Sequence, residues 1–114
     1  MDIRIKRAYD EPAAEDGYRV LVDRLWPRGL QKEVLALDEW CQDIAPSSNL
    51  RKWFGHDPAK FDEFRAKYVA ELEGSGEAEK LMKRAADNDV LTLVYAAKDS
   101  QVNHAVVLKE YLQR

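Results

Sequence analysis

The sequence predicts an α/β fold: a small, mostly parallel sheet with helices on both faces. Three observations point there. Val90-Leu91-Thr92-Leu93-Val94-Tyr95 is β-rich and nearly all apolar, the pattern of a strand buried on both faces. Helical periodicities flank that run on either side, and strands separated by helices favour parallel pairing. A second apolar run, Val20-Leu21-Val22, lies near the start of the chain.

The elements follow in order. Ile3 to Lys6 alternates apolar and charged residues, a short strand with one wet face. Pro12 to Asp16, closed by Gly17, reads as one helical turn, with Pro at its start and Gly just past its end. Arg19 to Arg24 is the second strand, central because three consecutive residues are apolar. Asp38 to Asp43 reads as a third strand, since Trp40 and Ile44 share a parity; helix is the open alternative. Ser47 can cap a short helix running to about Phe54. Asp57 is a good N-cap and Pro58 suits a first helical position. Phe61, Phe64, Tyr68, Val69 and Leu72 then recur at helical spacing until Gly74 and Gly76 stop the run. Ala78, Leu81, Met82, Ala85 and Ala86 mark a further helix ending near Asn88. After the buried strand, Ser100 is expected to cap the last helix, with Val102, Ala105, Val106, Leu108 and Leu112 facing inward.

The 114 residues form one domain, 1–114, long enough to bury a single core. Apolar content of 46% with 34% charged residues is ordinary for a globular chain. No apolar run is long enough to span a bilayer, and Met1 to Arg7 lacks the apolar centre of a secretory signal. The single cysteine, Cys41, excludes an intramolecular disulfide and any multi-cysteine zinc site. The expected setting is the cytoplasm, with no membrane partner. A formal net charge of −3 speaks against a protein that coats nucleic acid. Acids crowd residues 61–89, where eight stand against five bases, while Arg4, Lys6, Arg7, Arg24, Arg28, Arg51 and Lys98 lie near strand ends and helix starts. Local basic character on an acidic body suits a small anionic ligand.

The junction Asp23-Arg24-Leu25-Trp26-Pro27-Arg28-Gly29 is the densest chemistry in the chain. Ligands of α/β folds bind at strand carboxyl ends, and Arg grips planar or tetrahedral anions. Here Arg24 and Arg28 are expected to bind the anion, Asp23 to orient one of them, and Trp26 to stack on a ring. Gly29 permits a tight turn that aims Arg28 back over the strand end. The competing reading is a structural salt bridge with Trp26-Pro27 packed over the sheet edge. Ser47 and Arg51 open a helix, where an anion shared with free backbone N–H groups would offset the cost of a cation beside the positive dipole end; alternatively, Arg51 points outward to Asp43. Lys98, Asn103 and His104 lie at the start of the last helix, and Tyr95 at the end of the buried strand; Lys98 and Asn103 are expected to join the ligand-binding set, and Tyr95 to stack on the ligand as the alternative to Trp26. Arg7 adds a cation from the first strand. Asp23, Asp99 and His104 are the candidate proton carriers if a reaction occurs, although a lone His at a helix start is more often a hydrogen-bonded packing residue.

Other features read as structure. Cys41 has no basic sequence neighbour and reads as a core residue; His56-Asp57-Pro58 is a helix start. Glu71, Glu73, Glu77 and Glu79 read as a solvated acidic face. The two histidines suggest no metal site, and no cofactor is expected. The dinucleotide fingerprint, the Walker loop and the nucleophile elbow are absent.

Val22 to Gly29, Ala45-Pro46-Ser47, Leu50 to Phe54 with His56-Asp57-Pro58, Tyr95 to Asp99, and Asn103-His104-Ala105 occur together and in order. In these blocks the chain resembles the YeaO-like family of small bacterial proteins, domain of unknown function 488, over nearly its whole length. The resemblance implies a compact cytoplasmic α/β domain and no particular reaction. The expected function is therefore binding of a phosphate-bearing small molecule, plausibly a nucleotide, with hydrolysis or group transfer the natural chemistry if the chain is an enzyme. The alternatives are a nucleic-acid module using Trp26 and Trp53 as stacking platforms, and a structural or protein-interaction domain with Arg24 and Arg28 buried in carboxylate pairs.

Overall fold

The computed structural model describes residues 1–114 and is organised around the strand Val90–Tyr95, whose last five residues are buried. The strands β1 (Asp2–Arg7), β2 (Tyr18–Leu21), β3 (Glu39–Trp40) and β4 (Val90–Tyr95) form one sheet in the order β1-β4-β2-β3. All three pairings are parallel. Ile3 and Ile5 pair with Leu91 and Leu93 on one side of β4; Tyr18 and Val20 pair with the same two residues on the other. The carboxyl ends Arg7, Leu21, Trp40 and Tyr95 therefore finish along one edge.

Helices lie on both faces, unequally. Alternation sends Ile3, Val20, Leu91, Leu93 and Tyr95 to one face, into the main core. There they meet α2 (Ser48–Phe54), α3 (Phe61–Ser75), α4 (Glu77–Arg84) and α5 (His104–Leu112), through Leu50, Phe64, Tyr68, Leu72, Leu81 and Leu108. The apolar cluster on the opposite face is only Ala8, Leu21 and Val94, with Leu35 of the one-turn helix α1 (Lys32–Leu35) and the half-buried Trp26, Leu30 and Leu37. No helix is long and apolar enough to cross a membrane.

A polar knot makes up for the thin apolar cover. Arg19 and Asp16 are 4% and 5% exposed and meet at 2.7 Å, with the Lys6 ammonium 3.1 Å from the same carboxylate. The remaining Arg19 nitrogens donate to the carbonyls of Leu35 and Ala36, at 2.8 and 3.2 Å. Thr92 Oγ1 donates to the Asp16 carbonyl at 2.7 Å, joining the knot to β4. Burial opposes the charged form of Asp16, but the Ala13 N–H, Lys6 and Arg19 outweigh it and hold the carboxyl below its ordinary value of 3.8.

Most expected elements form, with shifted ends. Ladder pairing of β2 stops at Leu21, short of Arg24, because the Asp23 carboxylate takes the Ala96 N–H that would have continued it. The segment Asp38–Asp43 divides into the short strand β3 and a 3₁₀ turn, Gln42–Ile44. Asp57 caps a 3₁₀ turn, Pro58–Lys60, which feeds α3. The cap of α5 is Asn103, whose Oδ1 accepts from Val106 N at 3.0 Å, and Ser100 lies outside the helix. Asp99 is the reason: its Oδ1 accepts from the N–H groups of Gln101 and Val102 and holds 99–102 as a turn. The helix α4 ends at Arg84, and α1 has no counterpart in the sequence reading.

Gly17 ends the 3₁₀ turn Ala14–Asp16 at φ 63° and ψ −128°, and a Cβ there would stand 2.4 Å from the Val90 carbonyl oxygen. Gly17→Ala is expected to lose about 2 kcal/mol or more, read as a lowered thermal midpoint. Because the folded Asp16 carboxyl is held low, its stabilisation is complete above the unfolded value near 3.8 and is lost as pH falls below it. Asp16→Asn should therefore destabilise the fold at pH 7, on the order of 3 kcal/mol by denaturant titration, and flatten the acid limb of the stability profile.

Candidate functional site

At the carboxyl edge β2 and β4 part company. The loop Asp23–Arg28 leaves β2, Ala96 and Ala97 continue β4, and Ala45, α2 and the start of α5 close the sides of a hollow of about 620 Å³. That volume lies within the range of small-molecule sites.

Asp23 holds its inner rim. Oδ2 accepts from Ala96 N at 3.0 Å, and the Asp23 carbonyl accepts from Trp40 Nε1 at 2.8 Å. His104 Nε2 lies 3.0 Å from both Asp23 Oδ1 and the Val22 carbonyl. A carbonyl can only accept, so Nε2 carries the proton and donates it to Val22. Asp23 Oδ1 stands beside the ring at ion-pair distance but is buried without a hydrogen-bond donor. The carboxylate thus orients a histidine and a strand end. The expectation that it orients an arginine is corrected, since no arginine forms an ion pair with it.

Four permanent cations line the hollow: Arg24, Arg28, Arg51 and Lys52. The ion pairs of the protein, taken to 4.0 Å, include none of them. Arg24 donates one Nη2 hydrogen bond to the Ala45 carbonyl at 3.2 Å, while its Nε and that of Arg51 are buried without an acceptor. Gly29 turns the loop at φ 81°, and the Tyr9 hydroxyl donates to the Arg28 carbonyl at 2.9 Å. Asp23 is the one carboxylate in the lining.

The other expected site residues separate. Asn103 and His104 reach the hollow, but the Asn103 amide is engaged in holding the chain: Oδ1 caps α5 and Nδ2 donates to the Asp99 carbonyl. Trp26 lines the hollow as a packing residue, with Nε1 donating to the Leu30 carbonyl at 2.7 Å and its ring edge-on to Trp40. Arg7 stands behind the lining, its Nε on the Ala97 carbonyl and its guanidinium 5.0 Å from the centre of the Tyr9 ring. Tyr95 is 2% exposed within the core and offers no stacking face. Lys98 and Asp99 are exposed and outside the hollow.

Ser47 is also outside, and for an instructive reason. It caps α2 by accepting from Leu50 N, and its own N and Oγ donate to the two carboxylate oxygens of Glu71 at 2.9 and 2.6 Å. The anion at the α2 N-terminus is thus an internal carboxylate, and Glu71 is no part of a solvated acidic face. Cys41 is a core residue; burial, then the Glu39 carboxylate, push its thiol upward and keep it inert. Sequence reasoning overlooked Tyr9, Lys52 and His56 as lining residues. The signal for Lys52 was its position beside Arg51; His56, exposed at φ 57° against Phe54, left none.

A family model described as "Inactive DUF488-N3 subclade" matches residues 2–114. The chain belongs to the DUF488 family. Its relatives within that family include the uncharacterized protein YeaO of Escherichia coli (strain K12), 47% identical over 113 residues, 99% of this chain and 98% of the relative. The uncharacterized proteins Mb3100c of Mycobacterium bovis and Rv3073c of Mycobacterium tuberculosis are each 41% identical over 110 residues, 96% of this chain and 92% of the relative. No solved structure gives a significant match. For this DUF488 member the lining carries no serine, threonine or cysteine, and its one phenol, Tyr9, is bound to the Arg28 backbone.

The Val22 carbonyl fixes the neutral tautomer of His104. Long-range ¹⁵N–¹H spectra at about pH 8.5, above the ordinary histidine titration, should place the proton on Nε2. A proton on Nδ1 would refute the arrangement.

Proposed function

We propose that the chain is a cytoplasmic, non-catalytic receptor for a phosphate-bearing small molecule of nucleotide size, held in the hollow at the sheet's carboxyl edge. One observation carries the reading: four cations without carboxylate partners surround a single cavity in a protein whose net charge is −3. Like charges gathered without internal partners repel one another, and a bound anion reverses that penalty. Guanidinium groups make charge-assisted hydrogen bonds to phosphate oxygens, and the hollow occupies the position where open α/β sheets take ligands.

Binding without turnover agrees with the family description and with the chemistry of the lining. Hydroxyl and thiol nucleophiles are lacking apart from the committed Tyr9 phenol, Asp23 is bound to Ala96 and His104, and Asp99 stands outside. A nucleic-acid interface draws less support. Lys60 and Lys67 lie over the Trp53 ring at 5.3 and 5.2 Å, and Trp26 is edge-packed, so neither platform is free to stack bases. A purely structural role would place Arg24 and Arg28 against carboxylates, and neither has one. The cytoplasmic setting rests on the lone, buried cysteine.

Thermal-shift screening with inorganic phosphate, nucleotides and sugar phosphates tests the reading. A ligand at a hundredfold its Kd should add about 2.7 kcal/mol of stability. Arg28→Ala and Lys52→Gln should each weaken binding roughly tenfold while leaving the unliganded melting temperature near wild type. If no anion stabilises the protein and Arg28→Ala changes nothing, the receptor reading is lost.

A further inference from the structure

Resting on that receptor reading, we infer that the anionic head seated in the hollow is a terminal phosphate, a monoester or the end of a pyrophosphate, and not a phosphodiester. The two differ in charge, in free oxygens and in the number of substituents that must leave the site. A monoester carries close to two negative charges at neutral pH and offers three non-bridging oxygens. A diester carries one charge, offers two such oxygens and has an arm on each side.

The charge of the lining favours the first. Arg24, Arg28, Arg51 and Lys52 line the hollow, and Asp23, the sole carboxylate among them, offsets only one of these four charges. A single negative charge would leave most of this positive charge uncompensated; a doubly charged head compensates twice as much without another protein group.

The donors point the same way. Two buried Nε–H groups, one on the loop after β2 and one on α2, lack any acceptor in the protein. Arg24 has already spent an Nη2 donor on the Ala45 carbonyl, and its Nη1, which has no acceptor in the protein and is not buried, is the donor it retains for a ligand. Serving donors from two separate segments, together with the exposed Arg28 and Lys52, calls for a head rich in oxygens. The shape adds a third constraint. Phe54 and Phe64, 5% and 1% exposed, close the inner end of the hollow with apolar surface. A second ester arm has to be housed beside this apolar surface or find a second way out, whereas a monoester's single arm needs only the mouth.

Isothermal titration of the whole protein at constant ionic strength separates the possibilities, using AMP, 3′,5′-cyclic AMP, inorganic phosphate, pyrophosphate and dimethyl phosphate. AMP or pyrophosphate should bind at least about tenfold more tightly than cyclic AMP, and phosphate should compete where dimethyl phosphate does not. Arg24→Gln and Arg51→Gln should shrink the ratio between AMP and cyclic AMP. Should either variant fail to fold, the Nε–H cross-peaks of Arg24 and Arg51 in the wild-type protein must shift with phosphate and stay in place with dimethyl phosphate. Diesters binding as tightly as monoesters, with Arg28→Ala weakening both, would overturn this inference and leave the receptor standing. No binding by any of the five at about 10 mM removes the receptor as well.

Discussion

One carboxylate organises the carboxyl edge of the sheet. Asp23 stands where β2 should have continued beside β4, and it takes the Ala96 N–H into its side chain. A backbone acceptor there would have extended the ladder and kept the strands together. A side-chain acceptor satisfies the same donor while letting the main chain swing away, and the space so opened becomes the hollow. The same residue fixes the neighbours of that space: the adjacent Val22 carbonyl holds His104 Nε2 beside Oδ1, and the Asp23 carbonyl receives Trp40 Nε1. Strands β2 and β4, helix α5 and the end of β3 thus meet at one residue. Buried polar groups must be paired, and here the pairing also decides where the sheet ends.

The unequal faces of the sheet follow from how much apolar surface each strand supplies. Four helices cover the side that receives Val20, Leu91, Leu93 and Tyr95. On the other side Arg19 and Thr92 interrupt the apolar set, so a full helical layer would have buried polar groups without partners. The chain instead closes that side with short turns whose backbone carbonyls are the partners: Asp16, Leu35 and Ala36 accept from Thr92 and Arg19. Thin cover and polar composition are two aspects of the same solution.

How much of this was legible follows the range of the interaction concerned. Periodicity is local, so β4 was readable to its limits and α2 to within a residue. That Arg24, Arg28 and Arg51 would line one hollow at the strand ends was legible too, because charge and strand ends mark that region together. Partnerships between distant residues were not. Glu71 reaches Ser47 across 24 positions, which turned a supposed solvated face into a helix anchor and a supposed ligand residue into a cap. Asn103 displaced Ser100 as a cap because Asp99 held the intervening turn, a competition between two good capping residues that composition alone does not decide. Tyr95 was misread for a simpler reason: a residue at a strand's end can still point into the core, and this one does.

The distribution of acids explains why the basic hollow survives in an acidic protein. A cation cluster would ordinarily recruit the nearest carboxylates, and the chain has more acids than bases. Several carboxylates that could have joined the cations are engaged elsewhere or make no ion pair. Glu71 is tied to the start of α2, Asp99 holds its own turn, Asp57 caps the turn before α3, and Asp43 is exposed without an ion pair. Releasing Glu71, Asp99 or Asp57 from its post would free a negative charge at the expense of a cap or a turn. Local hydrogen bonding thus keeps internal anions away from Arg24, Arg28, Arg51 and Lys52. The positive field at the sheet's edge is a product of how the helices are capped as much as of the arginines themselves.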